Sequence, residues 1–340
     1  MRDSIRRFPQ ITSSMNSNRS NAGPKVSVSV ITYNHGDMIA GCLESILAQD
    51  VDFDFEIVVG DDCSTDGTQE VVRRFCDEYP GIIRPIFAEK NAGDYGNTNF
   101  FNISEQCCGQ YIAHIDGDDV MLPGKLQKQA DFLDAHPECV MCVHTVHLMD
   151  RAGVLLPGSS PSQPKPEITD LEYLILNGCF FDHSSKMYRL SAKLPRQNKR
   201  TCDYYMHVWQ AFRGNIGFLN EVLGVHRIHF GGHTARKEVQ LVIFESYRDA
   251  YRLAADQGVS PDLCSKGLSH SAFMLAVFSF LVDKQEYELF RQYIEKANAY
   301  RKLSGSRIIL YKLRGFPRTV SMSVRMLMWV REKLWNFSKR

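Results

Sequence analysis

Short apolar segments rich in β-branched residues alternate with segments of helical periodicity from Lys25 to Met149. The first four apolar segments are Lys25–Thr32, Phe55–Val59, Ile82–Phe87 and Tyr111–Ile115. Strands that alternate with helices are typical of a parallel sheet covered by helices on both faces. The sequence therefore predicts the α/β class, as a Rossmann-like, mostly parallel sheet flanked by helices.

Polar residues follow three of these predicted strands directly. They are Thr32, Tyr33 and Asn34 after the first strand, Asp61 and Asp62 after the second, and Asp116, Asp118 and Asp119 after the fourth. Ligands of open α/β sheets bind outside the carboxyl ends of the strands, at a topological switch point. We therefore expect the three polar groups to share one rim of the sheet.

The three acids around Gly117 end a buried strand, and Pro123 and Gly124 then break the chain. Carboxylates in that position repel one another and are costly to desolvate, and a cation relieves that cost. Oxygen ligands suit a hard divalent ion, Mg²⁺ or Mn²⁺, which usually completes its shell with substrate phosphates. The alternative is a solvated Asp-Gly turn, because the Asp-x-Asp pattern is short.

The net charge of +1 conceals an asymmetry between the body of the chain and its end. Residues 301–340 contain 11 Lys and Arg against one acid, Glu332, whereas the first 300 residues contain 29 basic and 38 acidic residues. Trp, Met and basic residues in this tail suit the surface of an anionic membrane. The alternative is a helix packed on the body of the protein or on a second subunit. A nucleic-acid partner is disfavoured, because the body is acidic and contains no recognised binding module.

Composition and periodicity divide the chain into four segments. Residues 1–24 are expected to be disordered, and they lack the apolar core of a secretory signal. Residues 25–235 hold the α/β pattern, residues 236–300 have helical periodicity, and residues 301–340 form the basic tail. Near the end of the second segment, Gly217–Val225 predicts a β-hairpin. No uncharged run reaches the roughly 18 residues that span a bilayer. We therefore expect a cytoplasmic protein, placed on the inner face of the plasma membrane if the tail binds it.

Five ordered motifs resemble the inverting nucleotide-sugar glycosyltransferases of family 2, which have the so-called type A fold. The motifs are Val-Ser-Val-Ile-Thr-Tyr-Asn, Val-Val-Gly-Asp-Asp-Cys-Ser-Thr-Asp-Gly-Thr, Tyr-Ile-Ala-His-Ile-Asp-Gly-Asp-Asp, Lys-Leu-Gln-Lys-Gln-Ala-Asp-Phe-Leu and Arg-x-His-x-Gly-Gly. The resemblance covers Lys25 to about His233, and the last two motifs resemble a bacterial subgroup. The chain departs from the family at Ile31, where many relatives have Pro, and at Asn97-Thr98-Asn99, where many continue with Ala-Arg-Asn.

The resemblance implies a role for each acid that follows the fourth strand. Asp118 is the first choice for direct ligation of Mn²⁺ or Mg²⁺. Asp116 would contact the ribose, or the metal through water. Asp119 would be a supporting acid or a contact to the acceptor.

The resemblance also assigns the nucleoside to the two neighbouring strand ends. Asp62 would accept a hydrogen bond from the N–H of a uracil ring, as the matching family position does. Thr32, Tyr33 and Asn34 would contact the nucleotide with a backbone amide and a ring. The alternatives are an ordinary turn after the first strand and an Asx turn before the next helix.

Asp203 is the candidate general base. An inverting transfer needs a base within hydrogen-bond reach of the acceptor hydroxyl, on the side opposite the leaving group. Asp203 follows Thr201-Cys202 at a predicted helix start, where free amides and the helix dipole hold a carboxylate. The alternative is that Asp203 is only the N-cap of that helix, and the resemblance favours the base.

Two further segments complete the predicted site. Arg227 would pair with the diphosphate, and His229 would ligate Mn²⁺ through a neutral imidazole. His183 and Ser184 are placed near the acceptor or the donor sugar.

Together these features predict a metal-dependent inverting glycosyltransferase that uses a UDP-sugar or close relative. Its acceptor would be a glycan or lipid-linked hydroxyl in bacterial surface polysaccharide synthesis, a pathway implied by the subgroup alone. A nucleotidyltransferase would need a Gly-rich phosphate loop with a basic residue after the first strand, and Tyr33-Asn34-His35 does not supply one. A non-catalytic binding module would suit loss of the acids or of Asp203, and the chain keeps them all.

Overall fold

The computed structural model describes residues 23–94, 96–228, 237–282 and 287–315. Within these residues ten strands form one sheet: β1 Val26–Thr32, β2 Phe55–Asp61, β3 Ile83–Phe87, β4 Tyr111–Asp116, β5 Val120–Met121, β6 Cys139–Met149, β7 Leu155–Ser160, β8 Ile168–Thr169, β9 Met187–Arg189 and β10 Asn215–Arg227. The helices of the same residues are α1 Ile39–Leu47, α2 Thr68–Glu78, α3 Asn97–Gln106, α4 Lys125–Ala135, α5 Leu171–Asn177, α6 Asp203–Ala211, α7 Lys237–Asp256, α8 Pro261–Val282, α9 Tyr287–Tyr300 and α10 Ser306–Lys312. Short 3-10 turns, His183–Ser185 and Leu190–Ala192, flank β9.

The strands lie in the order β3-β2-β1-β4-β9-β6-β10-β5, with β7 beside β6 and β8 beside β10. The neighbours β3, β2, β1 and β4 are parallel, and β6 and β10 are parallel to each other. Strand β9 lies between β4 and β6 and is antiparallel to both. The predicted α/β sheet flanked by helices is confirmed, and it carries an antiparallel insertion that the sequence pattern did not indicate.

The strand order reverses between β1 and β4. The chain passes from β1 outward to β2 and β3, and then returns to place β4 on the other side of β1. Connections that leave in opposite directions open a crevice at the carboxyl ends of the two strands between them. The fold therefore puts the end of β1 and the end of β4 at the position where open α/β sheets bind their ligands.

Strand β1 is buried on both faces, which fixes the centre of the sheet. Val26, Val28 and Val30 have no exposed surface and pack in one apolar cluster with residues of α1, α2 and α4. The alternate residues Ser27 and Ser29 face the opposite side and are equally buried. There the Ser27 hydroxyl accepts a hydrogen bond from the amide of Gly109 at 2.8 Å, so the polar groups of this face are satisfied.

A C-terminal helical extension follows the sheet, as predicted. Helices α7 to α10 share an apolar cluster that contains Phe290, Tyr293 and Leu310. Arg301 and Arg314 form ion pairs with Asp262 and Glu295 of the extension at 2.5 and 3.2 Å. The first part of the basic tail, residues 301–315, therefore packs on the protein, whereas residues 316–340 lie outside the described residues, as do residues 1–22. None of the described helices is both long and apolar enough to cross a membrane.

The predicted β-hairpin at Gly217–Val225 is wrong. Asn215–Arg227 is one strand of 13 residues that runs along β6, and the register shifts at Leu219/Val222 and again at Val222/Gly224. Asn220 and Glu221 resemble a turn in the sequence, but they form a bulge within the strand. The long strand ends at the rim of the sheet, so His226 and Arg227 lie there.

Gly60 of β2 packs closely against α3, and a substitution can test this contact. A Cβ atom at Gly60 would lie 2.3 Å from Asn99 Oδ1 and 2.4 Å from Ile103 Cδ1. We expect Gly60→Ala to lower the free energy of unfolding by about 1–3 kcal/mol, since extra atoms in a packed core force side chains and backbone apart. Urea unfolding followed by circular dichroism measures the change. Gly41→Ala in α1 is the matched control, because nothing lies within 4 Å of its Cβ position, and it should be neutral or stabilising. Equal stability of the two variants would contradict the close packing.

Candidate active site

The three predicted polar groups share one rim of the sheet. Thr32 at the end of β1 lies opposite Asp61 of β2, and Ile31 lies opposite Asp116 of β4. The amide of Asp62 donates to the carbonyl of Thr32 at 3.1 Å. The expectation of a common rim is confirmed, because parallel register brings the carboxyl ends of β1, β2 and β4 to the same edge.

The acids after β4 occupy different environments. Asp116 ends the strand with 33% of its side chain exposed, whereas Asp118 and Asp119 are 8% and 1% exposed in the turn that follows. Burial, and then the charges of Asp119 and Asp118, raise the pKa of Asp116 to about 7. A raised pKa means that negative charge in this turn is incompletely compensated, and a cation at the Asp116 carboxylate would compensate it.

Asp119 is the acid whose negative charge is compensated by neighbouring groups of the protein. Its Oδ1 accepts the amide of Arg227 at 2.8 Å, and its Oδ2 lies 3.2 Å from His226 Nδ1. Burial raises the pKa of Asp119, but hydrogen bonds from His226, Ser184 and the Arg227 amide and the charge of His226 lower it further than burial raises it. Only 1% of its side chain is exposed, so Asp119 fits the supporting role better than a contact to an acceptor.

His226 is the cation that pairs with Asp119. Burial lowers the pKa of His226, but the hydrogen bond and charge of Asp119, with the charges of Asp182 and Asp116, raise it to about 10. The imidazole is therefore protonated at neutral pH. It ties the end of β10 to the acidic turn.

The side chain of Arg227 holds the same turn by donating hydrogen bonds to backbone carbonyls. Its Nε donates to the carbonyl of Asp118 at 3.0 Å, and its Nη1 donates to the carbonyls of Asp150 and Arg151 at 3.1 and 3.4 Å. The guanidinium thus fixes the position of Asp118, while its predicted contact with a diphosphate stays a prediction. His229, predicted as a metal ligand, lies outside the described residues.

The loops after β1 and β2 are cross-linked to each other. The Asn34 amide donates to the Ser64 hydroxyl at 2.8 Å, and the Asn34 side chain accepts the amide of Thr65 at 2.9 Å. Asn34 has a φ of 54°, a left-handed conformation that Asn tolerates better than most residues. Tyr33 beside it is 39% exposed. Asn34 therefore shapes the loop, and the exposed part of Tyr33 is available for contacts at this strand end.

Asp62 is held by the loop that follows β3. Its Oδ2 accepts the side chain of Asn91 at 2.9 Å and its Oδ1 accepts the amide of Ala92 at 3.0 Å. Burial raises the pKa of Asp62, as do the charges of Asp94 and Asp61, while the Ala92 amide opposes the shift. Each carboxylate oxygen can accept a second hydrogen bond, so the geometry is compatible with a nucleobase N–H.

Asp203 is the first residue of α6, and Cys202 occupies the N-cap position without a side-chain cap. The alternative that Asp203 is the N-cap is therefore wrong. Its side chain is 55% exposed, and its Oδ1 lies 3.9 Å from His183 Nε2. Burial and the charge of Asp116 raise the pKa of Asp203, and the charge of Lys186 opposes this shift. Asp116 lies near the same histidines, because His114 Nε2 is 3.3 Å from Asp116 Oδ1 and the rings of His114 and His183 are 4.2 Å apart.

The segment around β9 supports the floor of the cleft. The Ser184 hydroxyl accepts the amide of Asp116 at 3.1 Å, and the fully buried Lys125 donates to the Ser184 carbonyl at 2.6 Å. His183 lies deeper, with its ring centroid 4.2 Å from that of His114. Ser184 thus positions Asp116, and His183 belongs to a buried group of histidines that contacts Asp203.

Several residues of this site were not identified from the sequence. They are His114, Lys125, Cys179, Lys186, His207 and His226. One signal was available: Asp203 and His207 are separated by four positions, so they lie on the same side of a helix. The others come together only through the sheet topology and carry no local pattern.

The donor set fits a hard divalent cation. Asp116 and Asp118 supply carboxylate oxygens at the rim, and a magnesium ion typically takes one or two carboxylates and completes its shell with phosphates and water. Among the residues that the structure describes, no group of three His, Cys, Asp or Glu side chains is arranged to hold a metal ion. Asp116 and Asp118 are the residues that would hold such an ion.

The sequence profile of glycosyl transferase family 2 matches residues 27–192. An uncharacterized protein of Mycobacterium tuberculosis, Rv1520, is 32% identical over 211 residues, which are 61% of this chain and 60% of that relative. The chain thus spans about three fifths of the length of this curated relative. Poly(ribitol-phosphate) β-N-acetylglucosaminyltransferase TarS of Staphylococcus aureus is 31% identical over 154 residues, 45% of this chain and 26% of TarS.

Solved structures share the fold over most of the chain. TarS residues 1–349, solved in complex with UDP-GlcNAc, superposes with a TM-score of 0.62 at 21% identity, over 88% of each chain. A mannosyltransferase of Pyrobaculum calidifontis, solved with GDP-Man and Mn²⁺, superposes with a TM-score of 0.52 at 17% identity, over 92% of this chain and 88% of the other. These likenesses confirm the type A fold that the motifs implied. Residues 27–192 thus form a glycosyl transferase family 2 domain.

Proposed function

We propose that the protein is a metal-dependent inverting glycosyltransferase that moves a sugar from a UDP-sugar to a hydroxyl of a glycan or lipid-linked acceptor. The observation that carries the proposal is that two histidines join two acids from distant parts of the chain. His114 Nε2 lies 3.3 Å from Asp116 Oδ1 at the end of β4, the rings of His114 and His183 lie 4.2 Å apart, and His183 Nε2 lies 3.9 Å from Asp203 Oδ1 at the start of α6. One acid would serve the leaving group and the other would serve the acceptor, on two sides of one cleft.

The leaving group would bind at the turn after β4. Asp118, which Arg227 fixes through its carbonyl, and Asp116 would hold Mn²⁺ or Mg²⁺ beside the diphosphate. The cation would act as a Lewis acid toward the charge that develops on the diphosphate. The Mn²⁺ named with the Pyrobaculum mannosyltransferase supports this choice of ion.

The nucleoside would bind between the ends of β1 and β2. Asp62 would accept the uracil N–H while its loop contacts with Asn91 and Ala92 hold the carboxylate in place. The ring of Tyr33, 39% exposed at the neighbouring strand end, would stack on or beside the base. The complex of TarS with UDP-GlcNAc supports a uridine nucleotide.

Asp203 would act as the general base. Its carboxylate takes the proton of the acceptor hydroxyl, the acceptor oxygen bonds to the anomeric carbon, and the bond from that carbon to the diphosphate breaks. The electron pair leaves with the nucleoside diphosphate. Because attack and departure occur on opposite faces, the anomeric configuration inverts. The raised pKa of Asp203 makes the carboxylate a better proton acceptor than an ordinary Asp.

The acceptor class follows from the relatives alone. The name of TarS states transfer to poly(ribitol-phosphate). We extend this to a surface polysaccharide or its lipid-linked precursor. Such an acceptor would bring the protein to the inner face of the plasma membrane, where the basic residues of the tail would meet anionic lipid.

The donor is tested first by ligand-induced stabilisation. UDP-, GDP- and dTDP-sugars are screened by thermal shift with and without Mn²⁺. We expect UDP-sugars to raise the melting temperature, and to raise it further with Mn²⁺, since ligands that bind the folded state stabilise it by mass action. A shift with GDP-sugars alone would contradict the uridine assignment.

Asp118→Asn tests the metal site. The change keeps the shape of the side chain and removes its charge. We expect transfer and donor hydrolysis to fall by about 100-fold or more, because even partners that orient a metal ligand are worth roughly 10–100-fold. The matched control is Asp131→Asn on the exposed side of α4, which should retain activity. Full turnover by Asp118→Asn would rule out this residue as a ligand.

Asp203→Asn tests the base. Nucleotide-sugar affinity should be retained, while transfer falls by about 10²- to 10⁴-fold, the usual contribution of general base catalysis. The fold should survive, because a charge in the first turn of a helix is worth only about 0.3–1 kcal/mol. Isothermal titration calorimetry and a transfer assay separate the two effects. Transfer at the wild-type rate would remove Asp203 from this role.

A further inference from the structure

A continuous row of polar side chains leads from Asp203 into the protein. His183 Nε2 lies 3.9 Å from Asp203 Oδ1, and His183 Nδ1 lies 3.2 Å from His207 Nε2. His207 Nδ1 in turn lies 3.5 Å from the sulfur of Cys179. The Cys179 thiol donates to the carbonyl of Phe181 at 3.3 Å. The proposed catalytic roles use Asp203 and leave the rest of this row unexplained.

Both histidines of the row are neutral. His207 has no exposed surface, and 10% of the His183 side chain is exposed. Burial, and then the charge of Lys186, lower the pKa of each imidazole well below its ordinary value. A neutral imidazole has one N–H donor and one lone pair, so each ring must present different groups at its two nitrogens.

The thiol of Cys179 sets the direction of the hydrogen bonds. Burial raises the pKa of this thiol, so it stays protonated, and its one S–H is assigned to the Phe181 carbonyl at 3.3 Å, which is the shorter of its two polar contacts. Its sulfur can then only accept from His207, which places the His207 proton on Nδ1. His207 Nε2 is therefore a lone pair, and it must accept the proton on His183 Nδ1.

The consequence appears at the other end of the row. With its proton on Nδ1, His183 presents the lone pair of Nε2 to Asp203. A lone pair and an ionised carboxylate repel each other, whereas a protonated carboxyl group can donate to the lone pair. The tautomer that Cys179 and His207 fix therefore favours the protonated form of Asp203.

We infer that His183 is a positioning residue that accepts a hydrogen bond from Asp203 once this carboxylate has taken the proton of the acceptor hydroxyl. This inference rests on the proposed function, in which Asp203 is the base. The proton moves from the acceptor oxygen to Asp203 Oδ1 and stays there, shared with His183 Nε2, until the product leaves. A closure of about 1 Å from 3.9 Å brings the two atoms into hydrogen-bond range.

Other groups near Asp203 act through their charge. These are Asp116 and His114 on β4, Lys186 before β9, and Tyr247 on α7. Lys186 favours the ionised carboxylate and Asp116 opposes it. His183 differs from these groups because its Nε2 lies 3.9 Å from Asp203 Oδ1.

The experiment compares His183→Asn with His183→Gln in transfer assays across pH. The Asn amide reaches the level of Nδ1 and keeps the contact with His207, but it leaves nothing beside Asp203. The Gln amide reaches the level of Nε2, where its carbonyl oxygen can accept from Asp203. We expect His183→Asn to lower kcat by roughly three- to tenfold with donor KM unchanged, the usual value of one hydrogen bond, and His183→Gln to recover most of that loss.

The pH profile separates this role from a packing role. The acid limb of kcat/KM reports the pKa of the base in the free enzyme. It should move to lower pH in His183→Asn, because the lone pair that favoured protonated Asp203 has been removed. Cys179→Ala should shift the limb in the same direction by less, since it frees the tautomer of His207 while the imidazole of His183 remains. Unchanged kcat and pH profile in all three variants would overturn the inference.

Two controls make the result specific. His270→Asn replaces another desolvated histidine, whose pKa burial lowers to about 4, in the helical extension. Cys264→Ala replaces another buried cysteine in α8. Both should leave kcat and the pH profile unchanged, and a shift of similar size in either one would overturn the inference. If His183→Asn does not fold, His183→Gln and Cys179→Ala decide by their pH profiles. Loss of transfer in Asp203→Asn with unaltered His183 variants overturns this inference alone, whereas full transfer in Asp203→Asn overturns the proposed base as well.

Discussion

The turn after β4 depends on the balance between desolvated carboxylates and the few cations buried beside them. Three acids end a strand whose residues are almost wholly buried, and like charges in that position raise the cost of ionisation. His226 compensates Asp119 by pairing with it. Burial lowers the pKa of Lys125 to about 8 although the charge of Asp119 raises it, so this lysine remains a cation at neutral pH. Asp116 is left with a pKa raised to about 7, which locates the remaining charge at the open side of the turn.

The same balance decides which acid can take which role. A carboxylate whose oxygens are both occupied by its own protein is a poor ligand, and Asp119 is in that condition. Asp118 is held through its backbone carbonyl by the guanidinium of Arg227. Two basic residues of β10 therefore support the acids without neutralising all of them. Strand β10 thus organises a turn that lies more than 100 residues earlier in the sequence.

The rim could be predicted because parallel register is a simple rule. Polar residues that directly follow buried strands must meet at one edge, and Thr32, Asp62 and Asp116 do so. The antiparallel insertion of β9 could not be predicted, because three residues carry too little pattern to show direction. The bulge at Asn220 and Glu221 resembles a turn in sequence, and pairing with β6 keeps the strand continuous.

The buried row behind Asp203 illustrates a different limit. Cys179, His183 and His207 are spread over 29 positions, and each has an ordinary role as an isolated residue. The directions of their hydrogen bonds depend on the contact between the Cys179 thiol and the Phe181 carbonyl. The sequence does not specify that contact. The spacing of Asp203 and His207 predicts that they lie on one side of a helix. It does not predict which side chain His207 contacts, because His183 comes from another part of the chain.

The position of Asp203 depends on residues outside the part of the chain that matches the family. The amide of Cys202, which precedes Asp203, donates to the Ser246 hydroxyl of α7 at 2.7 Å. Tyr204, which follows Asp203, stacks on Tyr247 of α7 with ring centroids 4.2 Å apart. Helix α7 therefore fixes the start of α6 from both sides of the carboxylate. The family match ends at residue 192, before α6 begins.

The cleft is consequently built by two parts of the chain with different constraints. Residues up to 192 supply the strand ends, where parallel register dictates the positions of the nucleotide and cation groups. The candidate base comes from α6, whose apolar residues share one cluster with residues of α7 and β6. The groups at the strand ends therefore depend on parallel register, whereas the position of Asp203 depends on how α7 packs against the start of α6.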